Sequence, residues 1–349
     1  MRAMNQKRRV TIYDIAREAE VSPATVSRVL SGSARVSQKK RDRVLELVRQ
    51  HSFMPNALAK GLSKTLSGLL GMLVPDVRNP YYSSLFMACE REAYELGYTL
   101  ILNNTFTRED LEIAFLDKMT QQRVEAMIIC GGLVDRVVMP ARFAAALRTT
   151  AQSVPVIIAG QAQASGCSQI SLDHADGMRQ LISHLAGQGH TKIAFIYANT
   201  DILLTLVKRQ AYLDSMAALG LTTRPEYLVE VGHFDEECGS RAMDALLALP
   251  EPPTAVIGIN DLVSAGVLRS LLERGLRVPQ DCAVASFDNS YLADLIVPRL
   301  TSVDYDYEAY AARLVGQALA QIAGQASVTS DVHPVRLLVK ASTAGGEEA

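Results

Sequence analysis

The sequence of 349 residues contains no apolar run of about 18 residues, the length that a membrane-spanning helix needs. Its first ten residues are charged and lack an apolar segment, so they do not resemble a secretion signal. The five cysteines are widely scattered without a CxxC pair, which fits neither a disulfide scaffold nor a zinc site. We therefore expect a protein of the reducing cytoplasm that has no contact with a membrane and no bound metal.

Motifs of the common enzyme classes are also missing. The sequence has no GxGxxG after a strand, no Walker A sequence, no GxSxG elbow and, among six histidines, no HExxH pair. Gly131-Gly132 is the nearest approach to a phosphate loop, and two adjacent glycines carry little weight. Asp288 closes an apolar run, where a carboxylate could act in catalysis, accept a hydrogen bond from a ligand or cap a loop. We predict that the chain is not an enzyme and needs no cofactor.

Positive charge is concentrated at one end of the chain. Residues 1–66 contain 14 Lys and Arg against five Asp and Glu, a net charge of +9. The other residues contain 21 against 32, a net charge of −11. A compact basic module on an acidic body is typical of a polyanion-binding protein whose other part has a separate task.

Three short helices are predicted in this basic segment. Thr11 can cap the first helix, and Asp14 favours its positive N-terminus. After a break, Ser22 can cap a second helix that has Pro23 at its first position, and Ser37 begins the third. Three helices with a tight turn between the first two form a helix-turn-helix. The expected inward-facing residues are Ile12, Ile15, Ala16, Ala19, Val26, Val29, Leu30, Val44, Leu45 and Val48.

From residue 69 onward, apolar strand-like runs alternate with helical segments. This alternation indicates parallel sheets with helices on both faces. This part of the chain has more than 270 residues, which is more than a single hydrophobic core usually supports. We therefore expect two α/β lobes, with a ligand site in the cleft at the carboxyl ends of their strands. The expected strands are Leu69–Val74, Thr99–Leu102, Ala126–Ile129, Val154–Ile158, Lys192–Ile196, Ala255–Ile259 and Cys282–Phe287.

Motifs along nearly the whole chain resemble the lactose-repressor (LacI/GalR) family. In the basic segment they are VTIYDIA at 10–16, VSPATVSRVLSG at 21–32, RVSQ at 35–38, PN at 55–56 and AKGL at 59–62. In the body they are Asn79-Pro80-Tyr81-Tyr82, Leu172-Asp173, Gly189-His190, Asn260-Asp261, Gly275, Val278-Pro279, Phe287-Asp288 and Leu300-Thr301.

The resemblance implies an α/β protein with an N-terminal helix-turn-helix bundle, a hinge helix and a two-lobed core with parallel sheets, similar to the periplasmic sugar-binding proteins. The implied function is a cytoplasmic, sequence-specific transcriptional regulator, in the first place a repressor, controlled by a small effector. It would bind a pseudo-palindromic operator in double-stranded DNA as a homodimer or a tetramer. The absence of a C-terminal leucine heptad favours the dimer.

The expected domain boundaries follow the same resemblance. They are 1–54 for the helix-turn-helix, 55–66 for the hinge helix and 67–349 for the core. The first lobe of the core takes about 67–168 and 303–333, and the second takes about 169–302 and 334–342.

DNA contacts are expected from the second helix and from the hinge. The N-terminal end of the second helix would enter the major groove with Pro23, Ala24 and Arg28 on its exposed side. Arg28 can donate to O6 and N7 of guanine or contact a phosphate, whereas Ala24 can only touch a thymine methyl. Leu62 matches the family's residue that inserts between base pairs in the minor groove. The remaining expected contacts, to phosphates or to the minor groove, are Tyr13, Thr25, Ser27, Asn56, Ala59 and Lys60.

Effector contacts are expected in the cleft. By resemblance, Arg209 matches an arginine that family members use for sugar hydroxyls or acidic groups, and Asp288 matches the carboxylate that faces it. Asn260 lies at the end of the preceding strand. Tyr81 and Tyr82 match ring-stacking positions of the other lobe.

Two departures from the family pattern leave the identity of the ligand undetermined. Gly160 lies where sugar-specific relatives place a carboxylate, and residues 302–307 replace a Gln-Pro. A sugar or sugar acid is favoured over a purine. In the expected mechanism the effector closes the lobes and changes the spacing of two DNA-binding heads, and either induction or corepression is compatible with these parts.

Other functions predict other features. A transport protein would carry a signal peptide and no basic bundle, and an enzyme with a DNA-binding head would need a nucleophile and base in the cleft. An effector-independent DNA-binding protein would not need the large acidic body. A small-molecule-binding protein without effector-dependent control of DNA binding stays open as the alternative.

Overall fold

The computed structural model describes residues 10–30, 36–51, 67–163 and 166–344. The chain divides into two units, Met1–Ser67 and Gly68–Ala349. None of the helices in the described ranges is long and apolar enough to cross a membrane.

Three helices are described in the first unit: α1 (Ile12–Glu18), α2 (Pro23–Leu30) and α3 (Gln38–Gln50). The N-terminus of α1 is closed by a capping box, as predicted. The hydroxyl of Thr11 accepts the N–H of Asp14 at 3.3 Å, and the carboxylate of Asp14 accepts the N–H of Thr11 at 2.9 Å. The Ser22 hydroxyl accepts the N–H of Thr25 at 3.2 Å, which confirms the predicted cap of α2.

The three helices meet around a small apolar core. Its fully buried members are Ile15, Ala16, Val26, Val29, Val44 and Leu47. The prediction was wrong at Leu45, which is 37% exposed, because the inward face of α3 runs through Val44, Leu47 and Val48. Positions 44, 47 and 48 follow the i, i+3, i+4 spacing of one helix face, and position 45 lies beside it.

The first lobe of the second unit is built on a six-stranded parallel sheet. Its strands are β1 (Leu69–Val74), β2 (Thr99–Asn104), β3 (Ala126–Ile129), β4 (Val156–Ala159), β5 (Ser168–Leu172) and β11 (Ser330–His333). Their order in the sheet is β11-β5-β4-β3-β1-β2. Helices α4 (Pro80–Glu95), α5 (Glu109–Gln121), α6 (Ala141–Ala151) and α12 (Tyr307–Ile322) cover it, α4 packing on α12 and α5 on α6. The central strands are nearly continuous apolar runs because both faces of the sheet are buried.

The second lobe has a sheet of the same size. Its strands are β6 (Ile193–Tyr197), β7 (Leu228–Glu230), β8 (Ala255–Gly258), β9 (Ala283–Asp288), β10 (Thr301–Asp304) and β12 (Arg336–Leu338). The order is β12-β10-β9-β8-β6-β7, and β12 runs antiparallel to β10 while the other pairs are parallel. Its helices are α7 (His174–Gly187), α8 (Leu203–Ala218), α9 (Glu236–Leu247), α10 (Asp261–Glu273) and the short α11 (Leu292–Leu295).

The chain passes between the two sheets three times, after Leu172, after Asp304 and after His333. The crossings expected at about 168 and 302 lie a few residues before these points, because position 168 begins β5 and position 302 falls within β10. Strand β5 pairs with β4 and β11 in the first sheet, and β10 pairs with β9 and β12 in the second. A strand belongs to the sheet with which it forms hydrogen bonds. The apolar pattern of that strand alone does not show which strands are its partners.

Candidate functional site

The surface of α2 presents the residues expected to face DNA. Ala24 and Arg28 are exposed, whereas Pro23, Thr25 and Ser27 are half-buried. The Thr25 hydroxyl lies 2.9 Å from that of Ser22, so it takes part in the N-terminal cap of the helix. Tyr13 on α1 is 71% exposed. The other expected DNA contacts, Asn56, Ala59, Lys60 and Leu62, lie outside the described residues.

A cavity of about 720 Å³ lies between the two lobes of the second unit. Residues that follow β1, β3 and β4 line it from the first lobe, and residues that end or follow β8 and β9 line it from the second. These are the carboxyl ends of parallel strands, the edge at which α/β sheets bind ligands. The volume lies within the range of about 300–1,000 Å³ that is usual for small-molecule sites.

Asp288 is the last residue of β9 and is presented to the cavity by a left-handed turn. Its φ is +97° and that of Asn289 is +43°. Asp261 holds this turn from below, because one oxygen of its carboxylate accepts the N–H and hydroxyl of Ser290 at 2.7 and 2.8 Å. The other oxygen accepts the hydroxyl of Ser302 at 3.0 Å. The conformation that aims Asp288 into the cavity is therefore fixed by a buried hydrogen-bond network.

Lys208, rather than Arg209, is the cationic residue of α8 that lines the cavity. Its Nζ donates to the carbonyl of Ile259 at 3.0 Å and lies 3.9 Å from the ring centre of Phe287. The guanidinium of Arg209 instead lies 5.9 Å from the ring centre of Tyr197 and is not among the lining groups. The structure thus brings Lys208 and not Arg209 to the cavity wall, because consecutive residues of a helix point about 100° apart.

Burial shifts the ionisation of Lys208 and Asp288 in opposite directions. It lowers the pKa of Lys208, against the charges of Asp288 and Asp261, which raise it. It raises the pKa of Asp288, against the charge of Lys208, which lowers it. Each group is thus easier to neutralise than it would be in water, and the opposite charge that faces it offsets part of this effect.

The expected aromatic residues lie together in the cavity wall. Tyr81 and Tyr82 at the start of α4 line the cavity, with ring centres 5.0 Å apart in an edge-to-face arrangement. The ring of Tyr81 also lies 5.8 Å from that of Tyr305. Tyr305 comes from the segment that departs from the family pattern, and Tyr307 in the same segment donates its hydroxyl to the carbonyl of Asp288 at 2.9 Å.

Asn260 lines the cavity, but both polar atoms of its side chain already form hydrogen bonds within the protein. Its amide oxygen accepts the N–H of Val263 at 2.9 Å and so caps α10, and its amide nitrogen donates to the carbonyl of Phe234 at 3.3 Å. The structure thus brings Tyr81, Tyr82, Asn260 and Asp288 to one cavity, and Asn260 has less capacity left for a ligand than the sequence suggested.

Asp135 is a cavity residue that the sequence reasoning missed. It ends a short 3₁₀ helix (Gly132–Asp135) after β3, and none of the described residues donates a hydrogen bond to its carboxylate. It lies beside Gly160: a Cβ on that glycine would be 3.2 Å from Asp135 Oδ1. A carboxylate therefore stands next to Gly160 after all, supplied by the neighbouring loop. Burial, followed by the charge of Glu112, raises the pKa of Asp135 to about 7.

Glu112 supports this loop from behind. Its side chain is 2% exposed, and its carboxylate accepts the N–H of Leu133 at 3.3 Å and the hydroxyl of Thr105 at 3.2 Å. Burial raises the pKa of Glu112 to about 7 in spite of these hydrogen bonds. A side chain at Gly132 would collide with the Glu112 carboxylate, and one at Gly131 would collide with the hydroxyl of Tyr82, which explains the glycine pair that had resembled a phosphate loop.

The two lobes are joined across the mouth of the cavity by a clasp, formed by Arg136 and Val137 of the first lobe with Asp201 and Ile202 of the second. Arg136 forms an ion pair with Asp201, and the N–H of Val137 donates to the carbonyl of Asp201 at 2.8 Å. Arg136 and Ile202 also form an isolated antiparallel bridge. Within the described part of the chain, no group of three or more His, Cys, Asp or Glu side chains is arranged to hold a metal ion.

Comparisons with known proteins agree with the resemblance drawn from the motifs. The family model described as bacterial regulatory proteins, lacI family, matches residues 11–56, and that of the periplasmic binding protein-like domain matches residues 182–343. The chain is 31% identical over 331 residues to the catabolite control protein A of Priestia megaterium, covering 93% of this chain and 97% of that one.

Two further relatives extend the comparison. The transcriptional repressor CytR of Escherichia coli strain K12 is 29% identical over 304 residues, which are 87% of each protein. The crystal structure of the lac repressor dimer bound to operator and the anti-inducer ONPF superposes with a TM-score of 0.84 and 25% identity, covering 96% of this chain and 99% of that one. The predicted fold class is confirmed, and the chain belongs to the lacI family of bacterial regulatory proteins, as a DNA-binding transcriptional regulator and not an enzyme.

Proposed function

We propose that this regulator is a repressor whose affinity for a pseudo-palindromic operator is controlled by a small effector bound between the two lobes. The observation that carries the proposal is the cavity at the carboxyl ends of both sheets, in a chain whose other unit contains a helix-turn-helix. Polar and aromatic groups from both lobes line that cavity. A ligand that contacts them stabilises the closed arrangement and shifts the population toward it.

The DNA contacts follow from the surface of the first unit. Arg28 reads a guanine from α2, Ala24 touches a thymine methyl, and Tyr13, Pro23, Thr25 and Ser27 position the helix on the backbone. Asn56, Ala59, Lys60 and Leu62 supply the phosphate and minor-groove contacts of the hinge. The protein acts in the cytoplasm as a homodimer, because a two-fold symmetric operator requires two symmetric heads.

The proposal is tested first on the operator. The full chain is titrated with the palindrome upstream of its own gene and with a scrambled duplex. Arg28→Ala should lower the affinity for the palindrome about tenfold or more while leaving the scrambled duplex nearly unaffected, because a bidentate contact to guanine discriminates by about 1–3 kcal/mol. Arg148→Ala, which removes the same charge from the exposed surface of α6, is the matched control and should change neither affinity.

Effector control is tested by a thermal-shift screen of sugars, sugar acids, phosphates and purines, followed by operator titrations with each hit. A hit that changes operator affinity supports the proposal. A hit that binds the cavity without changing operator affinity supports instead a small-molecule-binding protein without effector-dependent DNA control. Failure of the full chain to bind any duplex, even in dilute buffer, would overturn the proposal.

A further inference from the structure

The three segments in which the chain crosses between the two sheets meet at one buried residue, His333. It is the last residue of β11 and is 3% exposed, and the third crossing begins directly after it. Its backbone carbonyl accepts the N–H of Asp173, the first residue of the first crossing, at 3.0 Å. Its ring nitrogen Nε2 lies 2.9 Å from the carbonyl oxygen of Tyr305, the first residue of the second crossing. One residue therefore contacts all three crossings.

Arg313 on α12 holds the ring of this histidine from its other side. The guanidinium lies 3.3 Å from Nδ1 of His333 and donates to the carbonyl of Val332 at 3.0 Å. It also forms an ion pair with Asp331. The ring of Tyr310, one turn earlier on α12, lies against the histidine with ring centres 5.0 Å apart. The position of the ring is therefore set by a strand and a helix of the first lobe.

These partners require a neutral ring that carries its proton on Nε2. Arginine can only donate and a carbonyl can only accept, so Nδ1 accepts from Arg313 and Nε2 donates to Tyr305. Burial lowers the pKa of His333, and the charge of Arg313 adds to this effect. The hydrogen bond to the Tyr305 carbonyl and the charges of Asp306 and Asp304 oppose it only in part. The ring is thus uncharged at neutral pH, and both of its nitrogens form hydrogen bonds.

The three crossings form the hinge between the lobes, because they are the covalent connections between them. A change in the angle between the lobes must be absorbed by backbone rotations in these segments. Hydrogen bonds that join the crossings at one point make those rotations depend on one another. Without them each crossing could bend separately, and the lobes could twist as well as open. Tyr305 also lines the cavity, so the lobe hinge and the cavity wall share a residue.

We propose that His333 is a positioning residue of the lobe hinge, which joins the three crossings through its backbone carbonyl and its neutral ring. The lobes then move about one axis. Loss of the ring hydrogen bonds loosens all three crossings together, and not only the strand that carries the residue. This inference goes beyond the proposed function, and only its consequence for operator binding rests on that function.

Hydrogen exchange of the full chain, followed by mass spectrometry of its peptides, tests the proposal without an effector or DNA. His333→Leu keeps an apolar side chain of moderate size and leaves the carbonyl of the buried Tyr305 without its donor. Exchange should become about tenfold faster in the segments 168–178, 301–310 and 330–338, because local opening no longer breaks these hydrogen bonds. The central strand β3 of the same sheet should exchange as in the wild type.

His333→Gln is the conservative variant. Its amide nitrogen can donate to the carbonyl of Tyr305 and its amide oxygen can accept from Arg313, so it should restore most of the protection in all three segments. His190→Leu is the matched control, because it removes a histidine hydrogen bond to Thr254, at 3.0 Å, within the second lobe. It should leave exchange at the three crossings unchanged.

Arg313→Met loosens the ring from a half-buried position and leaves the histidine in the chain. It removes the hydrogen bonds to Nδ1 of His333 and to the carbonyl of Val332, so the crossings should exchange faster by a smaller factor than in His333→Leu. Faster exchange in 330–338 alone, equal acceleration in β3, or no acceleration with either variant would overturn the proposal.

Operator titrations separate this inference from the proposed function. If the arrangement of the lobes controls DNA binding, His333→Leu should change the affinity for the palindrome upstream of the protein's own gene, and His333→Gln should restore it. Faster exchange in all three crossings with unchanged operator affinity supports the role of His333 in the lobe hinge and contradicts control of DNA binding by the lobes. Unchanged exchange contradicts the role of His333, whatever the operator affinity.

Discussion

Several side chains around the cavity are ionisable groups buried at a cost in stability. Glu112, Asp135 and Asp288 all have a raised pKa because burial penalises the charged carboxylate. Asp261 belongs with them, with a pKa raised by burial although its oxygens accept hydrogen bonds from Ser290 and Ser302. Such groups would be poor choices for stability alone, and two of them, Asp135 and Asp288, line the cavity between the lobes.

Glu112 allows this cost to be measured at one residue. Its folded pKa of about 7 exceeds the model-peptide value of 4.5, so the folded state binds the proton more tightly. The free energy of unfolding should therefore fall as the pH rises from about 4.5 to about 7. The shift corresponds to a cost of the order of 3 kcal/mol above pH 7. Glu112→Gln should match the wild type near pH 5 and exceed its stability at pH 8, as measured by urea unfolding.

The control for this prediction lies on the same helix. Asp117→Asn removes an exposed carboxylate of α5 and should leave the pH dependence of unfolding as it is in the wild type. Parallel stability curves for Glu112→Gln and the wild type between pH 5 and 8 would rule out Glu112 as a source of the pH dependence.

At the level of elements, two glycines allow α9 and α10 to approach closely. A Cβ on Gly266 would collide with the carbonyl of Glu236, and one on Gly239 would collide with the carbonyl of Val263. Because α9 begins at the cavity, its position against α10 also sets the position of the cavity wall. The close approach thus serves both the packing of the second lobe and the shape of the cavity.

Gly266→Ala should lower the free energy of unfolding by about 1–3 kcal/mol, the usual effect of overpacking a well-packed contact. Gly316→Ala is the matched control, because Gly316 lies on the exposed side of α12 and a Cβ there would meet nothing within 4 Å. The control should be neutral or stabilising by up to about 1 kcal/mol, since alanine is the better helix former. Equal unfolding free energies for the two variants in thermal or urea denaturation would show that α9 and α10 can move apart freely.

The elements also show what could be predicted from the sequence. Central strands such as Leu69–Val74 were found because they are apolar and buried on both faces. Five strands were not predicted: β5 and β10 inside the sheets, and the edge strands β7, β11 and β12. They are short or rich in polar residues, and their pairing with neighbouring strands defines them. The caps at Thr11 and Ser22 could be predicted, because a helix cap depends on the residue type at the cap position and on residues within one turn of it.

The candidate site was predicted less completely than the fold. The family motifs include four of the cavity residues, namely Tyr81, Tyr82, Asn260 and Asp288. Lys208 was missed, although the inward face of α8 was visible in the spacing of the small and apolar residues Thr205, Ala211, Tyr212 and Ser215. Asp135 could not have been found by spacing, because its position depends on a loop whose course is set by Glu112 and by the glycine pair.

At the scale of the whole second unit, the clasp at Arg136 and Asp201 links the two lobes beside the cavity. Both side chains are more than a third exposed, so the ion pair itself contributes at most about 1 kcal/mol. The backbone hydrogen bond from Val137 to Asp201 adds to it. These contacts link the two lobes in the arrangement that the structure shows, and a ligand that favours this arrangement therefore gains whatever the clasp contributes.

Arg136→Gln removes the ion pair and leaves the backbone hydrogen bond. A smaller closed population reduces the apparent affinity by the same factor, so the effector Kd should rise about two- to fivefold and the dissociation rate should increase. Added salt should reduce the difference between variant and wild type, because salt already weakens an exposed ion pair. Arg179→Gln breaks an exposed pair with Asp176 within α7 and should leave both values unchanged. If calorimetry and stopped-flow dissociation give the same constants for Arg136→Gln and the wild type, the lobes close without help from the clasp, and the contacts of the ligand alone determine the equilibrium.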